Sequence, residues 1–331
     1  MIGKLDPEDL ARILSRTGAR DDAVEMGPQY GEDAAAIRIG DELLVASSDP
    51  LSLAKERLGT LAVHVACNDV AACGADPRWL TNVVFLPDDD PETLDLLTSQ
   101  MDAEADELGV AIVGGHSEYT PALDRPMVSM TAMGLADEYV PTGGAEPGDR
   151  VLLTKGAGVE GTAVLATDFR AELDLPDEVL DRAEGFFADI SVVPEAAVLR
   201  EFATAMHDPT EGGLANGLVE LATASGVRLE IDRDAVPVRE ETAEICAAMG
   251  VDPLRIFGSG ALLATVPEDA ADDALAALDA EGIRASEIGI VSEVGESDSS
   301  AGETGDPDGA VAIDGEVLDG AIRDDLYDLW E

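Results

Sequence analysis

The stretch LAVHVACNDVAACGA, residues 61–75, is apolar on almost every side and constrains the fold strongly. A helix of this kind has no polar face for water, so other elements must cover it all round. We therefore predict a buried helix here. No run of about 18 apolar residues occurs, and the N-terminal MIGKLDPEDLARIL lacks the apolar core of a signal peptide. We accordingly expect a soluble, cytoplasmic protein with no membrane partner.

Strand and helix patterns alternate around this segment. AAIRIG and ELLVASSD predict a hairpin with a Gly-Asp turn. VAIVGG predicts a strand that ends at Gly115, and the apolar run RPMVSMTAMGLA predicts a strand beside it. Further along, GALLATV and SEIGIVSE flank a helical pattern, as in a βαβ unit. The fold class predicted from these patterns is mixed α/β.

The segment DEYVPTGGAEPGDR, residues 137–150, is dense in Pro and Gly and precedes a fresh strand pattern. The chain has 331 residues, about two domains of the usual size of roughly 100–200 residues each. We therefore predict an N-terminal domain over 1–140 and a C-terminal domain over 146–331.

The charge balance is strongly acidic, with 70 Asp and Glu against 20 Lys and Arg and a formal net charge of −50. The acids are spread along the chain rather than gathered in one tail, which indicates a surface adapted to molar salt. At about 1 M salt the Debye length falls to about 3 Å, so a phosphate ligand would sense only its immediate neighbours. A nucleic-acid partner is not expected, because the chain has no basic patch and only 4% aromatic residues.

The three cysteines are Cys67, Cys73 and Cys246. They form no CxxC pair and their number is odd, so neither a zinc site nor a disulfide framework is predicted. We expect buried thiols.

Acidic residues recur beside glycine or at the predicted ends of strands and helices. These segments are GED at 31–33, SSD at 47–49, ND at 68–69, GGHSE at 114–118 and HDPTEGG at 207–213. Carboxylates that met at one point would repel each other unless cations lay between them. Mg²⁺ suits this role, because it takes oxygen ligands and bridges carboxylates to phosphates.

An ordinary structural reading competes with this one, since Asp beside Gly is common in turns and helix caps. In HDPTEGG, Asp208 or Thr210 would then cap a helix and Glu211 would lie in its first turn. A P-loop is excluded, because no GxxxxGK[ST] is present and Lys155 in TKGAGVEG is not followed by Ser or Thr. Polyphosphate would instead be held through metal ions and backbone NH groups at glycine-bearing helix starts.

The motifs taken together, in order from about residue 27 to 266, resemble those of the aminoimidazole ribonucleotide (AIR) synthetase superfamily. The motifs that carry the resemblance are YGEDAA, SSDP, NDVAACGADP, GGHSEYTP, HDPTEGGLA and FGSGALLATV. The superfamily includes selenophosphate synthetase, thiamine-monophosphate kinase and the hydrogenase-maturation carbamoyl dehydratase. HDPTEGGLA and GGHSEYTP are most similar to archaeal proteins grouped with the hydrogenase-maturation factor.

The resemblance implies a two-domain α/β protein whose N-terminal domain contributes strands to a β-barrel at a homodimer interface. It also implies that ATP and Mg²⁺ bind in a cleft between the domains, and that the γ-phosphate is transferred to a small-molecule or protein-bound substrate. A requirement for K⁺ is left open.

The resemblance also assigns roles to individual residues. The predicted metal ligands are Asp33, Asp49, Asp69, Asp208 and Glu211. The predicted contacts to ATP or phosphate are Asn68, Gly114, Gly115, Thr210, Gly212 and Gly213. Lys155 joins them because of its place in a glycine loop, with an ordinary surface lysine as the alternative. The predicted catalytic residues are His116 and Glu118. His116 follows two glycines at a predicted strand end, which suits a proton or phosphate contact.

The chain departs from each well-known member of the superfamily. It ends DDLYDLWE where the carbamoyl dehydratase has a cysteine-bearing tail, and no cysteine precedes Cys67, where selenophosphate synthetase uses one. The substrate is therefore unassigned. Two alternatives stay open: a catalytically weak ATP-binding partner protein in a maturation complex, and a metabolite kinase of the thiamine-monophosphate kinase type.

Overall fold

The computed structural model describes residues 3–5, 7–295, 309–318 and 320–330. Its helices are α1 Pro7–Leu14, α2 Leu58–Ala72, α3 Pro91–Leu108, α4 Val159–Asp168, α5 Asp177–Glu184, α6 Val193–Leu199, α7 Gly213–Ser225, α8 Glu240–Met249 and α9 Ala271–Ala280. Its strands are β1 Val24–Met26, β2 Ala35–Ile39, β3 Glu42–Leu51, β4 Asp76–Leu86, β5 Ala111–Tyr119, β6 Met127–Ala136, β7 Arg150–Thr154, β8 Ala205–His207, β9 Arg228–Ile231, β10 Leu263–Val266, β11 Ala285–Ser292, β12 Ala310–Ile313 and β13 Glu316–Val317. The prediction of a mixed α/β fold is confirmed.

The first sheet has the strand order β1-β2-β3-β6-β4-β5. The predicted hairpin is β2 and β3, in which Ile39 pairs with Glu42 across the turn. The prediction that β6 lies beside β5 is wrong. β6 instead pairs with β3 and β4, while β5 pairs in parallel with β4 through the crossover helix α3. This sheet is open within the single chain.

Helix α2 is the buried helix that the sequence predicts, and all fifteen of its residues are buried. One side packs with the strands of the first sheet, in a core that includes Val63, Cys67 and Val70. On another side, Ala71 and Ala72 pack with residues of the C-terminal half. An apolar surface all round is needed because the helix lies between the two halves of the protein.

The second sheet has the order β13-β12-β9-β11-β7-β10-β8. The predicted βαβ unit is β10, α9 and β11. β10 and β11 are both antiparallel to β7, which lies between them, so they run parallel to each other. Within the described ranges, no helix is long and apolar enough to cross a membrane.

Strand β5 continues further than the sequence indicates. The predicted strand ends at Gly115, but pairing with β4 extends through His116 and Glu118 to Tyr119. These residues therefore lie within a strand rather than at its end. The extension follows from the partner strand, because β4 is long enough to pair with each added residue.

Candidate functional site

The HDPTEGG segment connects β8 to α7 at the junction of the two halves. Helix α7 begins at Gly213, and Gly212 is its N-cap with φ of 79° and no side-chain cap hydrogen bond. Gly213 also has a positive φ of 61°, and a Cβ there would overlap the carbonyl oxygen of Ile256. Glycine is therefore required at this turn. Asp208 and Thr210 do not cap the helix, so the ordinary reading of this segment does not account for its acids.

Carboxylates from both halves meet beside this turn. Ser47 Oγ on β3 lies 2.7 Å from Asp69 Oδ2 on α2 and 3.2 Å from Asp49 Oδ2. The backbone N–H of Asp208 donates to Asp33 Oδ2 at 3.4 Å, across the junction. We call Asp33, Asp49, Asp69 and Asp208 the carboxylate cluster.

The cluster is electrostatically unfavourable without a cation. Burial raises the pKa of Asp69 well above its usual range, and the charge of Asp49 raises it further. Burial, followed by the charge of Asp33, likewise raises the pKa of Asp208. Asp208 is 1% exposed, and both of its carboxylate oxygens are buried without a hydrogen-bond partner among the described residues. A bound cation would satisfy these oxygens and reverse the pKa shifts.

A chain of ionic contacts runs from this cluster to the N-terminal segment. His207 Nδ1 lies 2.8 Å from Asp33 Oδ1, and its Nε2 lies 3.0 Å from Glu220 Oε2. Lys4 Nζ lies 2.9 Å from Glu220 Oε1. Burial lowers the pKa of His207, but the Asp33 and Glu220 carboxylates outweigh it and raise that pKa to about 10. Burial raises the pKa of Glu220, but Lys4 and His207 bring it down to about 2.

Glu220 and Lys4 were not predicted from the sequence. A signal for Glu220 was present, because it lies three residues after Gly217 and seven after Gly213 in the same helix. That spacing puts it on the face that begins at the glycine turn. No comparable signal exists for Lys4, whose contact spans 216 residues of sequence.

A second acidic group lies in the C-terminal half beyond the turn. Asp324 Oδ2 accepts a hydrogen bond from the Gly212 N–H at 2.8 Å. Burial raises the pKa of Glu160 to about 7 and that of Asp324 to about 8, and the charge of Glu211 adds to both shifts. Glu211 Oε2 is itself buried without a hydrogen-bond partner in the described structure. Glu160 and Asp324 were not predicted from the sequence, although Glu160 lies in TKGAGVEG and Asp324 opens DDLYDLWE.

Asn68 joins the two halves. Its Nδ2 donates to the carbonyl oxygen of Ile190, and its Oδ1 accepts from the N–H of Val192, both at 2.9 Å. The side chain is 0% exposed. The phosphate contact predicted for Asn68 stays a prediction. In the structure its two hydrogen bonds connect α2 to the segment before α6.

Lys155 is occupied in a similar way. Its Nζ donates to the carbonyl oxygens of Asp189 and Ser191 at 2.9 and 2.5 Å, and it pairs with Glu195 Oε1 at 2.7 Å. These distances do not test the predicted contact of Lys155 with phosphate. To reach a phosphate, Lys155 would have to give up one of these three acceptors.

The predicted catalytic residues lie away from the carboxylate cluster within one chain. Across the first sheet, Asp49 is in register with Met130, Met130 with Asn82, and Asn82 with Gly115. Three strand spacings separate Asp49 from Gly115, or about 14 Å. His116 and Glu118, which contact each other at 3.3 Å, are exposed on the edge strand β5, as are Gly114 and Gly115.

The cluster does not form a complete metal site by itself. Within the described ranges, no three His, Cys, Asp or Glu side chains converge closely enough to hold a metal ion. Mg²⁺ does not require such convergence, because it keeps several waters and takes phosphate oxygens as ligands. Buried, unpartnered carboxylate oxygens such as those of Asp208 fit this kind of site.

Comparison with known proteins places these features in a family. The model of the AIR synthase related protein N-terminal domain matches residues 31–136, and that of the C-terminal domain matches residues 146–301. The chain is similar to carbamoyl dehydratase HypE of Rhizobium leguminosarum bv. viciae, with 34% identity over 79% of this chain and 77% of the relative.

Two solved structures have the same fold and similar sequences. Hydrogenase maturation protein HypE in complex with ATP has 27% identity and a TM-score of 0.69, covering 96% of this chain and 91% of that one. The HypE–HypF complex has 26% identity and a TM-score of 0.71, covering 87% of this chain and 93% of that one.

Proposed function

Because the chain belongs to the AIR synthase related protein family, a family of enzymes, we propose that it is an ATP- and Mg²⁺-dependent enzyme. It activates a small-molecule or protein-bound substrate by phosphoryl transfer. The crystal structure of HypE with ATP, at 27% identity over nearly the whole chain, supports the nucleotide. The carboxylate cluster supports the metal.

One observation carries the proposal: Asp208 keeps both carboxylate oxygens buried and unpartnered where it approaches the acids of the other half. An unpaired buried carboxylate is costly, and a protein retains one where a cation compensates it. Carboxylate oxygens are the donors that Mg²⁺ prefers. Asp33, Asp49, Asp69, Asp208 and Glu211 stay the predicted ligands, with water and phosphate oxygens to complete the shell of the ion.

The glycine turn supplies the other half of the nucleotide site. Gly212 and Gly213 let the chain pass against the carbonyl oxygens of Ile322 and Ile256 at the start of α7, where the helix dipole favours an anion. When bound, Mg²⁺ would neutralise part of the negative charge of the triphosphate. The residues of the chain would orient the triphosphate and exclude water by closing the two halves around it.

We also propose that the protein is a homodimer formed through β5. All nine residues of this edge strand are exposed, and Val113 and Tyr119 are 57% and 58% exposed. An exposed apolar edge strand is a template for pairing with another strand. Pairing of two copies would bring His116 and Glu118 to the interface. Replacing Val113 with Lys is expected to shift the protein to monomer in light scattering, and an unchanged dimer would contradict this interface.

The cysteines of the chain do not indicate which substrate it uses. Cys67, Cys73 and Cys246 are all buried, and burial raises the pKa of both Cys67 and Cys246 to about 12. None of them offers a thiolate near neutral pH. A protein-bound substrate is supported by the HypE–HypF complex, in which a similar chain binds a protein partner. That complex also supports the second candidate, an ATP-binding partner with weak turnover.

The setting that we propose is a cytoplasm rich in salt, with K⁺ as a candidate second cation. Helix α3 illustrates the adaptation, since its exposed side carries Glu92, Asp95, Asp102, Asp106 and Glu107. Such a surface repels itself at low salt and is screened at molar salt.

The test is ADP release by the purified protein with ATP and Mg²⁺ in molar KCl, screened against a pool of metabolites and candidate carrier proteins. We expect ADP only with the right co-substrate, and none from Asp69→Asn. Tight ATP binding with no ADP under any condition would favour the partner role. Absence of Mg²⁺-dependent ATP binding would remove both.

A further inference from the structure

We propose that His207, Glu220 and Lys4 are positioning residues, which act through Asp33 to hold the two halves of the cleft so that Asp208 faces Asp69. The inference rests on the proposed function, because it concerns the cation site of that function. We call the contacts Asp33–His207–Glu220–Lys4 the ionic relay.

The relay crosses the junction between the two halves twice. Asp33, from the loop before β2, contacts His207 at the end of β8, and Lys4, before α1, contacts Glu220 on α7. The side chains of Asp33, His207 and Glu220 are 9%, 4% and 7% exposed, whereas that of Lys4 is 46% exposed. The contacts therefore run from Lys4 at the surface through the buried Glu220 and His207 to the half-buried Asp33 at the cleft.

The geometry fixes the charge of the imidazole. Nδ1 faces Asp33 and Nε2 faces Glu220, both within hydrogen-bond distance of a carboxylate oxygen. A carboxylate accepts but does not donate, so with both acids ionised each ring nitrogen carries its own hydrogen. His207 is thus a cation between two anions, and its ring cannot turn without breaking a charged hydrogen bond.

The relay determines where Asp208 lies. Asp208 follows His207 directly, and its backbone N–H donates to the same Asp33 oxygen that lies 3.0 Å from His207 Nδ1. Asp33 thereby holds two successive residues of the C-terminal half against the half that carries Asp69. Partners of this kind, which orient metal ligands from behind, alter metal affinity by about 10–100-fold when they are removed.

A simpler role for His207 predicts the opposite result. If His207 only neutralised the carboxylate cluster, removing its positive charge would make the cleft more negative and would tighten the binding of a divalent cation. If His207 positions Asp208, removing His207 weakens the binding of the cation even though the cleft becomes more negative. The sign of the change therefore separates the two roles.

The test measures binding of Mn²⁺ alone, by electron paramagnetic resonance in molar KCl, and binding of ATP with Mg²⁺, by calorimetry. His207→Gln is expected to weaken both on the order of tenfold. The matched control is His64→Gln, because His64 Nε2 also pairs with a glutamate, Glu104 Oε2 at 3.0 Å, between α2 and α3. The control is expected to bind as the wild type does.

Glu220 supplies a second pair of variants if His207→Gln fails to fold. Glu220→Leu removes the acceptor from Nε2 and is expected to weaken Mn²⁺ binding as His207→Gln does. Glu220→Gln keeps an acceptor oxygen and is expected to recover most of the affinity.

Unchanged or tighter Mn²⁺ binding in His207→Gln, or equal losses in the two Glu220 variants, overturns the relay and leaves the proposed function standing. A wild-type protein that binds neither Mn²⁺ nor ATP with Mg²⁺ overturns both.

Discussion

The two hydrogen bonds of Asn68 predict a large and specific loss of stability in Asn68→Leu. Leucine has a similar size but no polar atoms, so the variant leaves the Ile190 carbonyl and the Val192 N–H without partners. The site is 0% exposed, and water cannot replace the lost contacts. Each orphaned buried group costs about 1–3 kcal/mol, so the free energy of unfolding is expected to fall by about 2–6 kcal/mol.

The assay is equilibrium unfolding by urea in molar KCl, followed by fluorescence, with ATP binding measured on the same samples. Asn68→Asp is an informative companion, because it keeps an acceptor for Val192 N–H but sets a carboxylate against the Ile190 carbonyl. A fall of less than about 1 kcal/mol in the free energy of unfolding of Asn68→Leu would show that the two hydrogen bonds of Asn68 do not stabilise the protein. Weakened ATP binding without that loss would show instead that Asn68 serves the nucleotide.

Three further changes test the site and the turn beside it. Burial raises the pKa of Glu160 from 4.5 to about 7. The contribution of this carboxyl to stability is therefore complete below pH 4.5 and is lost as the pH rises through 7. Glu160→Gln is expected to remove that fall of about 3 kcal/mol, and parallel pH profiles of unfolding in variant and wild type would contradict it. Asp69→Asn removes the repulsion between Asp69 and the other acids of the carboxylate cluster. It is expected to stabilise the metal-free protein on the order of 1 kcal/mol in thermal unfolding and to abolish Mg²⁺-dependent ATP binding. A destabilised variant that still binds ATP would count against the cluster. Gly213→Ala, at φ 61° and against the Ile256 carbonyl, is expected to lose about 2 kcal/mol or more in urea unfolding, and wild-type stability would show that the turn can relax.

Local patterns were readable from the sequence wherever neighbours in the chain decide the structure. The all-round apolarity of α2, the turn between β2 and β3, and the alternation of β10, α9 and β11 each follow from residues within one segment. The position of β6 between β3 and β4 did not follow. Strand order depends on which strands still have an unpaired edge after distant segments have folded. The sequence pattern of β6 therefore does not indicate its neighbours in the sheet.

Asp33, Asp49, Asp69, Asp208 and Glu211 were predicted as metal ligands because their motifs occur in the order of a known family. In the structure Ser47 contacts both Asp49 and Asp69, and Asp33 accepts from the Asp208 N–H, while metal binding by the set stays a prediction. His207 lies in the HDPTEGG motif, beside the predicted metal ligand Asp208. Its role between two carboxylates depends on Glu220, a lone acid in an apolar helix. The sequence shows which residues are unusual but not which distant partner compensates each of them.

The proposed function depends on acids from both halves of the chain, which would hold a divalent cation against the phosphates of ATP. The most direct measurement is anomalous scattering from Mn²⁺ in crystals grown in molar KCl with a non-hydrolysable ATP analogue. We expect a peak within about 2.0–2.6 Å of carboxylate oxygens of Asp69 and Asp208, on the phosphate side of the glycine turn. Two results would contradict the proposed cation site. One is an ordered nucleotide whose metal contacts neither Asp69 nor Asp208, and the other is a cleft in which these two side chains stay apart with no ion between them.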